Sequence, residues 1–259
     1  MKKTIAFAVS VILCVVYLAV IVEAGQAQNW YCPRNNDNKQ PIFSNDLSYV
    51  SEFGGYYIDH SHGDKSANKV VYLTFDAGYE NGNVERVLDV MKDKNVTGAF
   101  FILENLVLKN PELVSRMADE GHLVCNHTAT HVDITKLKDF EEFKSELARL
   151  ETVYKDTTGR EVSKYFRPPE GRFNQQTLGW ASQLGYKTVF WSFAYADWDN
   201  GKQMSADAAK KKILDNIHNG AVILLHPTSK TNADILGDVI DELKGQGYQF
   251  GSLDMLTAN

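Results

Sequence analysis

Two histidines four residues apart, His127 and His131 in HTATH, put two imidazoles on one side of a helical turn or tight loop. Such a pair can chelate one divalent metal, although no glutamate stands between them as in HExxH. Asp76, in TFDAGYENG, supplies a carboxylate able to ligate a metal or to act as general base toward a water, and Gly78 lets the backbone turn sharply after it. Capping the next helix, the other use for an aspartate here, is better suited to Asn81 or Asn83. Arg167, in FRPPEGRF, precedes two prolines that stiffen its loop, so its guanidinium can be held against a carboxylate such as Asp76. His226, in ILLHPTS, is a candidate proton donor, and Asp197 can fix its tautomer and keep it protonated. Trp191, Tyr195 and Trp198 flank Asp197 with aromatic faces that suit sugar rings, while Trp191 suits core packing equally well. A metal pair, a base, an orienting cation and an acid are equipment for hydrolysing an amide or ester through a tetrahedral intermediate.

The elements that must position these groups follow one rhythm. VVYLTF precedes Asp76, HLVC precedes the histidine pair, KYF precedes Arg167, KTVFW comes shortly before Asp197, and AVILL precedes His226. Parallel strands that alternate with helices deliver their C-terminal ends to one face, where residues distant in sequence converge. Between these runs, Val84, Val87, Leu88 and Met91 recur at helical spacing, and Phe140, Phe143, Leu147, Leu150 and Tyr154 form a second apolar stripe. Pro111 opens a helix, Gly185 closes one over residues 175–184, Gly220 closes one over 206–218, and a last helix surrounds 235–243. About seven strand-helix repeats predict an α/β chain folded as a distorted (β/α)7 barrel with an irregular N-terminal segment.

Three segments are expected: residues 1–27, an export signal peptide or membrane anchor; 28–68, the irregular segment; and 69–259, the catalytic domain. The first carries Lys2 and Lys3, an apolar stretch from Ile5 to Val22 interrupted only by Ser10, and then Ala24, Gly25 and Ala27. It predicts an exported protein, secreted or anchored on the outer side of the cytoplasmic membrane, with membrane contact only through that anchor. A formal net charge of −6 gives no electrostatic footprint for nucleic acid. With Cys14 in the export segment, Cys32 and Cys125 are left as a formally possible disulfide, and Cys125, ending an apolar run, reads better as a small buried side chain.

In order and spacing, TFDAGYENG, NHTATH, FRPPEGRF, WSFAYADW and LLHPTS resemble the five motifs of the polysaccharide deacetylases, also called the NodB or carbohydrate esterase 4 family. The resemblance runs from about Val70 to Leu253 and implies a barrel that removes acetyl groups from N-acetylated sugars with a divalent metal, zinc or another transition metal. By position it implies Asp76 as general base, His226 as general acid, and His127 and His131 as metal ligands. Arg167 would steady Asp76, Asp197 would support His226, and the backbone N–H of Glu170 would help hold the oxyanion. Gly171, Arg172, Tyr195, Trp198 and Leu225 join Glu170 as candidate substrate contacts. One departure stands out: where most members carry a second aspartate as third metal ligand, this chain has Ala77. The stretch KVVYLTFDAGYENG and the C-terminal region resemble the muramic δ-lactam deacetylases of spore-forming bacteria, in which that aspartate is commonly replaced. The branch implies action on N-acetylmuramic acid in peptidoglycan strands already trimmed by an amidase, with Arg172 or Lys230 as candidate partners of the freed lactyl carboxylate. The alternatives are an N-acetylglucosamine or chitin-type deacetylase, an acetyl xylan esterase, and a catalytically silent glycan-binding protein.

Overall fold

The structure, a computed structural model, describes residues 25–33 and 37–258. The expected export segment up to residue 24 lies outside the described residues, among which no helix is long and apolar enough to cross a membrane. Seven of the eight parallel strands of the sheet come from the repeats: β1 (Lys69–Ala77), β2 (Ala99–Ile102), β3 (Leu123–Asn126), β4 (Ser163–Phe166), β5 (Lys187–Val189), β6 (Ala221–Leu225) and β7 (Tyr248–Phe250). Strands β1 to β5 pair in sequence order, β6 runs along the free side of β1, and β7 pairs with its first residues. Phe193, just past β5, bridges Ile223 of β6 in parallel, so the sheet closes on itself as the distorted (β/α)7 barrel that the repeats predict.

Side chains of a strand alternate between faces, and β1 sorts its residues accordingly. Val71, Leu73, Phe75 and Ala77 pack with Val84, Val87 and Leu88 of the surrounding helices. Val70 and Tyr72 join Ala99, Phe101, Cys125, Val189 and Val222 in a second cluster inside the barrel, where Leu253 and Leu256 are also buried. Thr74 and Asp76 continue this inward row toward the C-terminal end, and that register aims the Asp76 carboxylate at the barrel mouth.

The longer helices are α1 (Asn83–Asp93), α2 (Glu104–Lys109), α3 (Pro111–Asp119), α4 (Phe140–Thr158), α5 (Gln175–Gln183), α6 (Ala206–Asn216) and α7 (Lys230–Gly245). The six residues of α2 are too few to show an amphipathic period, so nothing in the residue pattern announces this helix. Helix α6 stops before Ile217, which turns to extended backbone, and His218 is buried with its Nε2 2.9 Å from the Ser192 hydroxyl. Helix α7 starts at Lys230, earlier than its apolar stripe implies, because the Ser229 hydroxyl caps it by accepting from the Asn232 N–H. At α1, Glu80 does the work expected of Asn81 or Asn83: its carboxylate accepts from the Val84 N–H at 3.0 Å. The amides of Asn81 and Asn83 instead donate to the Thr228 carbonyl at 2.9 and 3.1 Å, tying the loop after Asp76 to the loop after His226.

The N-terminal segment is irregular for most of its length but forms two short strand pairings, one in a separate two-stranded sheet and one at the edge of the barrel sheet. Gln28–Asn29 pairs antiparallel with Arg172–Phe173, and Gly55–Tyr56 pairs in parallel with β5. Trp30 is buried, stacks on Phe190 with centroids 4.4 Å apart, and donates its indole N–H to the Trp191 carbonyl and its backbone N–H to that of Gly171, both at 2.8 Å. The segment therefore buttresses the loop that carries Glu170. Cys32 and Cys125 are both free thiols, and Cys125 is buried inside the barrel.

Candidate active site

Asp76 ends β1 with its carboxylate shared between two partners. Arg167 donates Nη1–H to Oδ1 at 2.8 Å, and Oδ2 lies 3.6 Å from His127 Nε2. The guanidinium is fully buried and also donates to the Val189 and Phe190 carbonyls and to the Thr74 hydroxyl at 2.9 to 3.1 Å, and it lies 4.2 Å over the Phe101 ring. Burial pushes the Asp76 carboxyl pKa up, but the charge and hydrogen bond of Arg167, with the charge of His226, outweigh it and hold the carboxyl below its usual range. Asp76 is thus an anion at neutral pH, rigidly aimed.

His127 donates Nδ1–H to the Arg167 carbonyl at 2.8 Å, which fixes the tautomer and leaves the Nε2 lone pair facing Asp76. Burial lowers its pKa to about 4, so the ring is neutral. The His131 ring meets it edge-on, with centroids 5.0 Å apart. The histidines sit on a loop with Thr128 at φ 71° and His131 at φ 60°, left-handed conformations that non-glycine residues rarely adopt. The loop is held by Thr128 N–H donating to Asn126 Oδ1 and by His131 N–H donating to the Thr128 hydroxyl.

On the opposite wall, buried Asp197 accepts from both His226 Nδ1–H at 2.7 Å and the His226 backbone N–H at 2.8 Å. The Asn232 amide donates a third bond to the same carboxylate at 2.6 Å, and Tyr195 O–H donates to Asn232 Oδ1. Burial alone lowers the His226 pKa, but the hydrogen bond and charge of Asp197, with the charge of Asp76, raise it above its usual value. The shift favours a proton on the His226 nitrogen away from Asp197.

Both walls border one cavity of about 670 Å³, which Asp76, His127, His131 and His226 share with Glu170, Gly171, Trp191, Tyr195 and Trp198. Arg167 and Asp197 lie beneath it. Trp198 is 61% exposed and meets the His226 ring edge-on, whereas Tyr195 is buried and its hydroxyl is committed to Asn232. Glu170 lines the cavity with φ 57°, and at Gly171, φ 64°, an added Cβ would stand 2.7 Å from the Trp191 ring, so this turn is closed to larger residues. Three expected contacts do not line the cavity. Leu225 points into the core, and its neighbour Leu224 takes its place because adjacent strand residues face opposite ways. Arg172 turns to Asp133, with Nη1 3.1 Å from Oδ2, and Lys230 pairs with Asp234 at 2.5 Å. Thr74 and Asn232 escaped the sequence reading. Thr74 was within reach of it, being two residues before Asp76 and on the same face of the strand.

The donors present fit a divalent cation. Neutral His127 offers an aimed lone pair, His131 is packed against it, and the second Asp76 oxygen is adjacent. Ala77 adds no donor, and among the described residues no cluster of three or more His, Cys, Asp or Glu side chains with metal-binding geometry occurs.

Comparison with known proteins agrees with this geometry. The polysaccharide deacetylase family model matches residues 63–189. The peptidoglycan-N-acetylmuramic acid deacetylase PdaA of Bacillus subtilis is 39% identical over 92% of this chain and 92% of its own length. The solved structure of that protein, described as a family 4 carbohydrate esterase, superposes with a TM-score of 0.85 at 38% identity, covering 92% of this chain and 99% of the other. The peptidoglycan-N-acetylglucosamine deacetylase PgdA of Listeria monocytogenes is 37% identical over 73% of this chain and 39% of its own. This chain belongs to the polysaccharide deacetylases of carbohydrate esterase family 4, hydrolases of amide bonds whose members generally depend on a metal.

Proposed function

We propose that the chain removes the acetyl group from N-acetylmuramic acid in peptidoglycan glycan strands, leading to muramic δ-lactam. The observation that carries the chemistry is the pair of opposed dyads across one cavity, Asp76 with Arg167 and His226 with Asp197. Asp76, kept anionic by Arg167, takes a proton from the attacking water. His226, kept protonated by Asp197, gives its proton to the departing sugar nitrogen, so one amide and one water become acetate and amine. His127 and His131 would hold a divalent cation, zinc or another transition metal, which supplies Lewis-acid polarisation of the acetamide carbonyl. Trp198, exposed at the rim, gives a sugar ring an aromatic face.

The identity and coverage shared with a muramic acid deacetylase support that sugar. The amine freed at C2 then lies beside the lactyl carboxyl on C3, and closure to the lactam, with loss of water, is intramolecular and favoured by proximity. Closure needs an unblocked carboxyl, which an amidase would provide. The apolar N-terminal stretch supports export to the compartment where peptidoglycan lies. One observation favours a second reading, deacetylation of N-acetylglucosamine. No described residue lining the cavity is a lysine or arginine, Glu170 presents a carboxylate there, and Arg172 and Lys230 are paired elsewhere, so a free lactyl carboxylate finds no lysine or arginine of its own there. Mass spectrometry of muropeptides after incubation with peptidoglycan, with and without amidase treatment, separates the two. Muramic lactam from the treated strands supports the first reading, deacetylated glucosamine alone supports the second, and neither product removes both.

A further inference from the structure

The loop bearing the two histidines and the loop bearing Glu170 are both strained. Thr128, His131 and Glu170 account for three of the five non-glycine residues with positive φ among those described, and Gly171 adds a fourth left-handed position in these two loops. Such conformations persist only where surrounding contacts over-determine them. Each loop has internal ties, and two contacts join one loop to the other. At the base, His127 Nδ1–H donates to the Arg167 carbonyl. Further out, Asp133, two residues past His131, meets Arg172, the residue after Gly171, at 3.1 Å.

Both ends of this outer contact are anchored. Asp133 spends its other oxygen, Oδ1, on the Thr135 N–H at 3.1 Å and the Thr135 hydroxyl at 2.7 Å, capping the short turn Ile134–Lys136. The Arg172 backbone pairs with Asn29 of the N-terminal segment. The side chains are 15% and 32% exposed and neither lines the cavity, so the contact is a part-buried ion pair set behind the site. Lys136 Nζ, 3.4 Å from the same carboxylate oxygen, is exposed and adds a weaker attraction.

We propose that Asp133 and Arg172 are positioning residues: their ion pair sets the separation of His131 from the Glu170 turn, and hence of the metal ligand from the groups that receive the acetamide. This goes beyond the deacetylase reading and rests on it for the activity readout alone. A displacement of about 1 Å at a reacting centre can cost about 10²-fold in rate, and loss of a partner that orients metal ligands typically costs about 10- to 100-fold in affinity.

The test uses the full chain with Asp133→Asn, Arg172→Gln, the double variant and Arg172→Lys, reading acetate release, zinc affinity by calorimetry, and melting temperature. Each neutral variant is expected to lose about tenfold in kcat and about tenfold in zinc affinity, with KM within about twofold of the parent because neither residue touches the cavity. The double variant should be no worse than either single one, and Arg172→Lys, which keeps the charge, should stay within about threefold of the parent. Losses in the double variant that multiply, an Arg172→Lys as impaired as Arg172→Gln, or kcat and zinc affinity within about twofold throughout would overturn the proposal. Folding does not leave it open, since Arg172→Lys preserves the backbone pairing and the charge. A parent that binds zinc but releases no acetate sinks the deacetylase reading and leaves the coupling to be read in zinc affinity, whereas a parent that binds no divalent ion overturns the positioning proposal.

Discussion

Replacing Arg167 with methionine separates two effects that the buried pair combines. In the parent, the guanidinium makes four hydrogen bonds and holds Asp76 anionic against the pull of burial. Removing one partner of a buried pair leaves the other charge uncompensated and costs about 3 to 5 kcal/mol. At about 2 to 4 °C per kcal/mol for a domain of this size, the melting temperature should fall by roughly 6 to 20 °C at neutral pH. The sign of the pH dependence is the sharper test. With its pKa lowered in the folded parent, Asp76 contributes stability that is present above the unfolded carboxylate pKa of about 4 and lost as pH falls through the folded value. In Arg167→Met, burial is no longer opposed by the guanidinium and the folded pKa rises, so protonation relieves the variant. The gap in melting temperature between parent and variant should therefore be widest at neutral pH and narrow toward about pH 4. The acid limb of the rate profile should move to higher pH, because the base must be ionised. Circular dichroism melts across pH, with acetate release over the same range, provide both readouts. A variant whose melting temperature tracks the parent at every pH, or whose acid limb stays in place, would refute this account of the pair.

The remaining expectations are briefer. Asp76→Asn and His226→Ala should each remove about 10²- to 10⁴-fold of turnover in protein still folded at the assay temperature, with a lowered melting temperature for Asp76→Asn because it leaves the buried Arg167 guanidinium unpaired, checked by acetate release and calorimetry. The alkaline limb of the rate should follow His226: its raised pKa gives stability and activity that are full below the unfolded value of about 6.5 and lost as pH rises through the folded one. Asp197→Asn should bring that limb down in pH and also destabilise the fold, since an amide nitrogen would have to face the donors of His226 or Asn232. Dialysis against a chelator should remove activity, and added zinc should restore it.

How far the sequence speaks for this molecule depends on the range of the contacts involved. Asp76, His127, Arg167, Asp197 and His226 could be found because each follows a short apolar run, and in a barrel such runs end at one face. Helices α1 and α4 were legible from stripes of apolar residues at helical spacing, all local information. What stayed hidden depends on partners far along the chain. Asn232 meets Asp197 across 35 residues, and Trp30 reaches the Trp191 carbonyl across 161. Arg172 read as a free cation because nothing near it in sequence announces Asp133. Leu225 was misassigned by one residue, the error that strand alternation punishes most. The Glu80 cap was missed because it acts through a longer side chain than the usual capping residues.

Acetate release from purified peptidoglycan, measured together with the new primary amine, tests the central claim most directly. The zinc-loaded parent should release acetate and amine in equal amounts, and Asp76→Asn, assayed below its melting temperature, should release almost none. A folded, zinc-loaded parent that frees no acetate from peptidoglycan or from N-acetylglucosamine oligomers, while still binding them, would mean that the opposed dyads hold a glycan without cleaving it.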